Sequence, residues 1–496
     1  MELGTGSGEC GRLRLGSRVS APSADLVEQS RLVLTAHPLQ RIGAYALAAL
    51  ADRNRPEDLA PEDFNDAVEQ MDRHAIQAAL LRDSKAATGF WLKSSLSLFP
   101  NSPMNHNSNG RRSDDAIRER IRTWHALADP ATWPGVGCVL CGRPAVDFFG
   151  NRDVVLAESV SYRNTTPRGH AGMALCRPCH VSFYALPYGS QLTGGSSIAV
   201  HSWDERFLKR AVTRQVDRSL RLAETGDPSR RQTDVREVVA LTSMRRYGER
   251  ITDGVDLLVY NNFNGKPSLE AHSLEQPLAE WLRMTSRDPE LRRGFTALLR
   301  AHATKIDPGV VALARNAFRD PARILARSVR YLGRLVTGTA PDRERVAALA
   351  ALLYSFATEV MLMNEKDLSE IRSTAGRIAR LLSEEASGGK LRKFRADLKD
   401  SPKLRSWLTS RGVQWAVKPP KGSEGPLVTE RAFTLLFAPG ADNPAWFHRD
   451  LLLVGVLEEL SRLGWQAKEG TDEEGGDEEL DALDQKFITD EAEDDQ

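Results

Sequence analysis

Four of the five cysteines fall in two Cys-x-x-Cys pairs, Cys138/Cys141 and Cys176/Cys179, with 34 residues between the pairs. Zinc takes four soft ligands in a tetrahedron, and two such turns supply two thiolates each. Gly142 directly follows the first pair and lets the chain turn so that backbone N–H groups point at the sulfurs. Metal binding would also contribute folding energy to a segment with little core of its own. His170 and His180 are the alternative ligands nearby. Four thiolates leave no coordination position for water, so the expected zinc is structural and not catalytic. A nuclease of the His-Asn-His kind also works between two Cys-x-x-Cys pairs, but it needs a base His beside a metal-binding His or Asp. Between Cys141 and Cys176 the sole histidine is His170, with no acid or second His beside it.

A second pattern is electrostatic. Arg323, Arg327, Arg330 and Arg334 are spaced four, three and four residues apart. On a helix they share a sector of roughly 60°. Leu325, Val329, Leu332 and Val336 cluster on the opposite side, and Asp320-Pro321 is a natural helix start. One face packs and the other offers four guanidiniums, whose forked donors suit phosphate oxygens. Between Arg287 and Arg334 there are 11 basic and 4 acidic residues, too few acids to neutralise the face. Lys390, Arg392, Lys393 and Arg395 form a second basic cluster after Gly388-Gly389.

The elements that must carry these residues divide into two kinds. Arg31–Ala36 reads as a short strand, Pro38–Asp52 as a helix with apolar positions Ile42, Tyr45, Ala46, Ala49 and Leu50, and Pro61-Glu62 as the start of another. Gly89–Phe99 reads as a strand leading into a polar loop, Asn101–Arg112. Val255–Tyr260 is a strand, Asn264-Gly265 a hairpin signal, and Ser268–Ser273 its return. After about residue 275 helical periodicity takes over. Glu344–Glu365 is apolar almost all round, as the centre of a bundle would be, and Trp446–Leu463 forms the last helix. The expected class is α+β: a mixed α/β N-terminal domain over residues 29–280, with the zinc module at 136–190, then an all-α helical-bundle domain over 281–465. Residues 1–28 read as a disordered Gly/Ser leader and 466–496 as a disordered acidic tail.

The chain has 496 residues and a formal net charge of zero, but that zero hides an asymmetry. Gln466–Gln496 holds 14 acidic and 2 basic residues, which leaves 65 basic and 53 acidic residues, or +12, on residues 1–465. A basic body favours a polyanionic partner. Five cysteines make no disulfide framework, no apolar run is clean enough to span a membrane, and no secretory h-region opens the chain, so a cytoplasmic protein is expected. No Walker A motif, no Gly-x-Ser-x-Gly elbow and no nuclease-like carboxylate pair with a lysine occurs, which argues against an enzyme.

Four segments together resemble a known family. These are His37-Pro38-Leu39-Gln40-Arg41-Ile42-Gly43 before a helix, Leu98-Phe99-Pro100-Asn101-Ser102, the two cysteine turns at 138–142 and 175–189, and the run at 451–460. The chain is similar to the large subunit of the type I CRISPR Cascade complex, most of all its I-B branch. The resemblance implies a non-catalytic subunit of a crRNA-guided DNA surveillance complex. Such a subunit contacts the PAM duplex, aids R-loop formation, and offers a docking surface to a helicase–nuclease. Its expected partners are crRNA, target double-stranded DNA, the backbone, handle-binding and small subunits, and that helicase–nuclease; no membrane is involved. Under this resemblance the Asn101–Arg112 loop is the place to look for PAM contact: Asn101, Asn105, Asn107 and Asn109 can pair with adenine, and Arg111 and Arg112 can hold phosphates. Arg323, Arg327, Arg330, Arg334, Lys390, Arg392 and Lys393 would line the strands. Met284 marks a candidate internal start for a separate small subunit. The alternative is a zinc-containing nuclease. The Gly/Ser leader and acidic tail have no counterpart in the family.

Overall fold

The computed structural model describes residues 28–157, 172–193, 195–226, 235–263, 266–338, 342–384, 387–420, 425–438, 444–466 and 482–494. The leader, apart from Glu28, and residues 467–481 of the acidic tail lie outside the described residues, as do His170 and the Asn264-Gly265 turn. The protein is mostly helical with a small antiparallel sheet. The first half runs α1 (Pro38–Leu50), α2 (Pro61–Leu81), α3 (Phe90–Leu98) and α4 (Asp114–Trp124). A two-stranded ribbon, β1 (Asp147–Phe149) with β2 (Met173–Leu175), leads into α5 (Arg177–Tyr184) and α6 (Leu186–Gly189). Then come β3 (Gln191–Leu192), β4 (Ser197–Ser202), α7 (Glu205–Thr225), α8 (Arg236–Arg245), β5 (Val255–Asn261) and β6 (Ser268–Leu274). The helical half follows as α9 (Gln276–Arg287), α10 (Pro289–His302), α11 (Gly309–Arg319), α12 (Ala322–Thr337), α13 (Arg343–Ser355), α14 (Glu365–Ser383), α15 (Gly388–Asp397), α16 (Ser401–Val417), α17 (Glu430–Phe437), α18 (Ala445–Arg462) and α19 (Ala482–Asp494).

The sheet has the order β3-β4-β5-β6, antiparallel throughout, with Val255 opposite Leu274 and Ser202 opposite Val255. It divides two cores. Period-2 alternation turns Ile198, Val200, Val255, Leu257 and Val259 toward the helical half, and Ala199, Leu258 and Tyr260 toward the first half. Phe207 of α7 and α8 residues such as Leu241 and Met244 join the helical core. That core therefore draws on residues well before 281, and the chain shows no clean break at 280.

Three expected elements differ. Residues 31–36 form no strand. The buried Gln40 side chain satisfies them instead: its Oε1 accepts from the Thr35 N–H at 3.0 Å and its Nε2 donates to the Val33 carbonyl at 2.8 Å. Residues 90–98 are the helix α3. A short apolar run buried on most sides carries no strand alternation, and Ser94 and Ser95 return their hydroxyls to the Phe90 and Leu92 carbonyls at 2.9 and 3.0 Å. The Glu344–Glu365 helix stops at Ser355 and passes through a single π turn, Phe356–Val360, before α14 starts at Glu365.

The end of the acidic tail is also ordered. Residues 482–494 form α19, with Leu483, Phe487 and Ile488 packed on the helical core. Its fully buried Asp484 accepts from the Gly309 and Val310 N–H groups, at 2.8 and 2.7 Å, at the start of α11. The expected disorder of this stretch is thus corrected: an apolar face at i, i+4 and i+5 and one capping carboxylate outweigh the acidic composition around them.

Candidate metal centre and basic faces

The metal centre starts from two turns. Cys138 and Cys141 lie in a knuckle closed by hydrogen bonds from the Gly142 N–H to the Cys138 carbonyl (2.8 Å) and from the Cys138 N–H to the Arg143 carbonyl (2.7 Å). Gly142 has φ +78°, a left-handed conformation that favours glycine. The Arg143 backbone favours the thiolate of Cys141, and the Cys176 backbone favours that of Cys138. Cys176 is the N-cap of α5, Arg177-Pro178 opens that helix, and Cys179 lies in its first turn.

The four sulfurs lie within 4.8 Å of one another, and Cys141 and Cys176 approach to 3.5 Å. Cys138, Cys176 and Cys179 are buried and Cys141 is half-buried. Crowding splits their acidity: hydrogen bonds from Cys141, Cys176 and Cys179 push Cys138 down, whereas contact with Cys138 pushes Cys179 up. Four soft donors converging this closely can hold a single metal ion. Among the described residues they are the one cluster of potential metal ligands, and no carboxylate or histidine joins them. His180, offered by sequence as a substitute ligand, stacks on Phe149 with ring centroids 3.8 Å apart, and burial pushes it down to about 4.

The centre is anchored from behind. Gly43 on α1 faces α5 so closely that a Cβ there would sit 1.7 Å from the Ser182 carbonyl oxygen. Gln40 reaches the Ser182 hydroxyl at 3.3 Å, and Tyr184 donates to Asp72 on α2 at 2.9 Å. Trp91 donates to the Tyr188 hydroxyl at 2.8 Å. The His37–Gly43 segment thus docks the helix that carries Cys179.

The Asn101–Arg112 loop is held by its own asparagines. Asn105 donates to the Phe99 carbonyl at 3.2 Å, and the Ser95 hydroxyl lies at 3.4 Å. The buried Asn109 donates to the Pro103 carbonyl at 2.7 Å and accepts from Arg120 at 3.2 Å. The amide nitrogens of both residues are thus engaged within the loop, and the buried Asn109 has its Oδ1 occupied as well. Asn101 is exposed with φ +61°, and the side chain of Asn107 lies outside the described residues. Arg111 and Arg112 are exposed, and Arg112 also donates to the Ser108 hydroxyl at 2.9 Å.

The arginine row sits on α12 as its periodicity required, with Leu325, Val329, Leu332 and Val336 buried behind it. Arg323 and Arg330 are exposed. Arg323 pairs with Asp320 at 2.8 Å. Arg327 and Arg334 are half-buried: Arg327 donates to the His302 carbonyl at 3.0 Å, and Arg334 lies over the Tyr331 ring at 5.4 Å. The row is therefore two outward guanidiniums and two partly tethered ones. On α15, Arg392 and Lys393 are exposed and Lys390 is half-buried. The Arg395 guanidinium rests on Gly333, where a Cβ would come within 3.0 Å of its central carbon. One member of the second basic cluster thus reaches α12 beside Arg334.

Comparison with family models, with curated proteins and with solved structures gave no match to this chain. Among the described residues no helix is long and apolar enough to cross a membrane.

Proposed function

We propose that this protein is a non-catalytic, nucleic-acid-binding subunit of a crRNA-guided complex, in the position of the type I Cascade large subunit, and that its four-cysteine centre holds one structural zinc ion. The observation that carries the proposal is the contact of Arg395 with Gly333, which brings one side chain of the α15 cluster to α12 next to Arg334. Arginine on a rigid helix face suits phosphate recognition because its fork matches two oxygens at once. Zinc fits the donor set: with Zn–S bonds of about 2.3 Å, tetrahedral sulfurs stand about 3.8 Å apart. The observed separations bracket that distance. The exposed Asn101, Arg111 and Arg112 remain the candidates for contact with a PAM duplex.

The test is purification after co-expression with the other subunits and a guide. Co-elution with the crRNA-bearing particle is expected. Arg323→Glu with Arg330→Glu should weaken DNA binding by the particle and lower the magnitude of the salt slope by roughly two. Recovery of the chain alone from every such preparation would reject the subunit assignment. Metal-dependent cleavage of DNA by the isolated protein would replace it with the nuclease.

A further inference from the structure

A cleft of about 750 Å³ opens between the first half and the helical half, and none of its lining residues belongs to α12 or α15. Its lining carries eight Arg and Lys side chains against three acids, Asp52, Asp217 and Glu249. The basic groups come from separate elements. Helix α7 supplies Arg206, Lys209, Arg210 and Arg214, the end of α8 supplies Arg245 and Arg246, the end of α9 supplies Arg287, and the loop after α1 supplies Arg53. Spacings of three and four on α7 put its four on one face. That helix is fixed at its start, where Asp204 caps it and also accepts from the Thr252 N–H and hydroxyl, at 2.9 and 2.8 Å.

Internal contacts account for much of this charge: Arg245 is buried with its guanidinium 3.4 Å over the Phe295 ring, and Arg214 donates to the Arg246 carbonyl at 2.7 Å. Arg206 meets Glu249 at 3.2 Å, and Arg53 is held by Asp63 at 2.8 Å. Lys209 donates to the side-chain amide Oδ1 of Asn54 at 2.6 Å, a neutral partner that leaves its charge in place. Arg210 is exposed on the same face. A second, independent feature is Tyr247, which lines the cleft and is 4% exposed. Its hydroxyl is buried with no hydrogen-bond partner among the described residues. A buried hydroxyl without a partner is costly, and a ligand oxygen in the cleft would relieve it.

We infer that this cleft binds the phosphodiester backbone of a single nucleic-acid strand, a second contact made by residues outside α12 and α15. The inference rests on the proposed nucleic-acid role. A concave site with an excess of positive charge concentrates the field acting on anions. Its volume falls in the range of sites that enclose small ligands, so it seats a few nucleotides of one strand and not a duplex. Lys209 and the exposed Arg210 then hold successive phosphates, and Tyr247 donates to one of their oxygens.

The experiment is fluorescence anisotropy of a short labelled oligothymidylate with the full chain, and with Lys209→Glu/Arg210→Glu, Arg210→Glu alone, Tyr247→Phe, and the Arg323→Glu/Arg330→Glu control. Inorganic tripolyphosphate serves as a second ligand for each. Unchanged denaturant midpoints establish that the variants are folded, and the single exposed-site change serves if the double change is not. The double change should weaken the strand at least about ten-fold and lower the salt slope by roughly one to two. Tyr247→Phe should weaken it about three-fold. If the wild type binds and the cleft variants match it while the control loses affinity, the cleft is overturned and the nucleic-acid role stands. If the wild type binds no strand, both fall. If the cleft variants lose tripolyphosphate but keep the strand, the strand assignment is overturned.

Discussion

Gly43 and Ser182 stand backbone to backbone, so that a Cβ on the first would lie 1.7 Å from the carbonyl oxygen of the second. This contact seats α1 against α5, the helix whose first turn carries Cys179. In an exposed helix Gly→Ala is worth about 1 kcal/mol in favour of alanine. Here the sign reverses, because the neighbour is backbone and cannot rotate away. Gly43→Ala should cost about 1–3 kcal/mol through forced displacement of α5, and it should also loosen the metal centre. Urea unfolding with a parallel metal-release assay checks this. A variant as stable as the wild type would mean that the two helices are not seated as described.

The same contact explains why one motif was legible and its purpose was not. The two Cys-x-x-Cys pairs announce a metal site by spacing alone, and the sulfurs do converge. His37–Gly43 announces only a helix start. Its work is long-range: Gln40 replaces a strand partner for residues 33–35 and touches Ser182, which no local pattern can signal. The arginine row was readable because helical periodicity is local, yet the tethering of Arg327 by the His302 carbonyl is tertiary. The α7 arginines show a repeat of four along the chain, but nothing local says that α8 and α9 end against the same hollow. In Asn105 and Asn109, residue type suggested base reading where the fold uses the amides for loop closure.

Metal removal should destabilise the first half of the protein before the second. The four sulfurs fasten the β1–β2 ribbon and the Cys138 knuckle to α5, and three of the four cysteines are buried in the first core. Without the ion, crowded thiols replace a shared cation, and the binding free energy that contributes to folding is lost. Elemental analysis should give one zinc per chain. Chelation, or Cys179→Ser, should lower the first thermal transition by several degrees and increase protease cutting in the cysteine segment. A metal-free preparation that melts at the same temperature would contradict a structural role.

The Asp484 carboxylate caps α11 from a helix at the far end of the chain. Loss of a capping side chain costs about 0.5–2 kcal/mol, and burial places this one toward the upper end. Asp484→Ala should therefore destabilise by about 1–2 kcal/mol. Removal of residues 482–496 should cost more, because Phe487 also leaves its place beside Phe295, where the ring centroids are 6.4 Å apart. Denaturant midpoints of the three proteins rank these effects. If the truncated chain unfolds at the wild-type midpoint, α19 contributes nothing to the body it packs on.

Asp450 on α18 offers a test in pH. Burial raises its carboxyl from 3.8 to about 6, against the opposing pull of Arg449 and Lys399. Between those two values the folded protein keeps a proton that the unfolded chain has released. Stability therefore falls as pH rises through that window and stays reduced above it. A shift of about two units corresponds to roughly 3 kcal/mol, and residual solvent access trims this to about 2. Asp450→Asn removes the titration while keeping the shape. The variant should exceed the wild type by about 2 kcal/mol near pH 7 and match it near pH 4. Urea titrations at both values decide the matter. Equal gains at the two pH values would assign the effect to packing, and a loss at pH 7 would mean that the carboxylate has a favourable partner in the folded state.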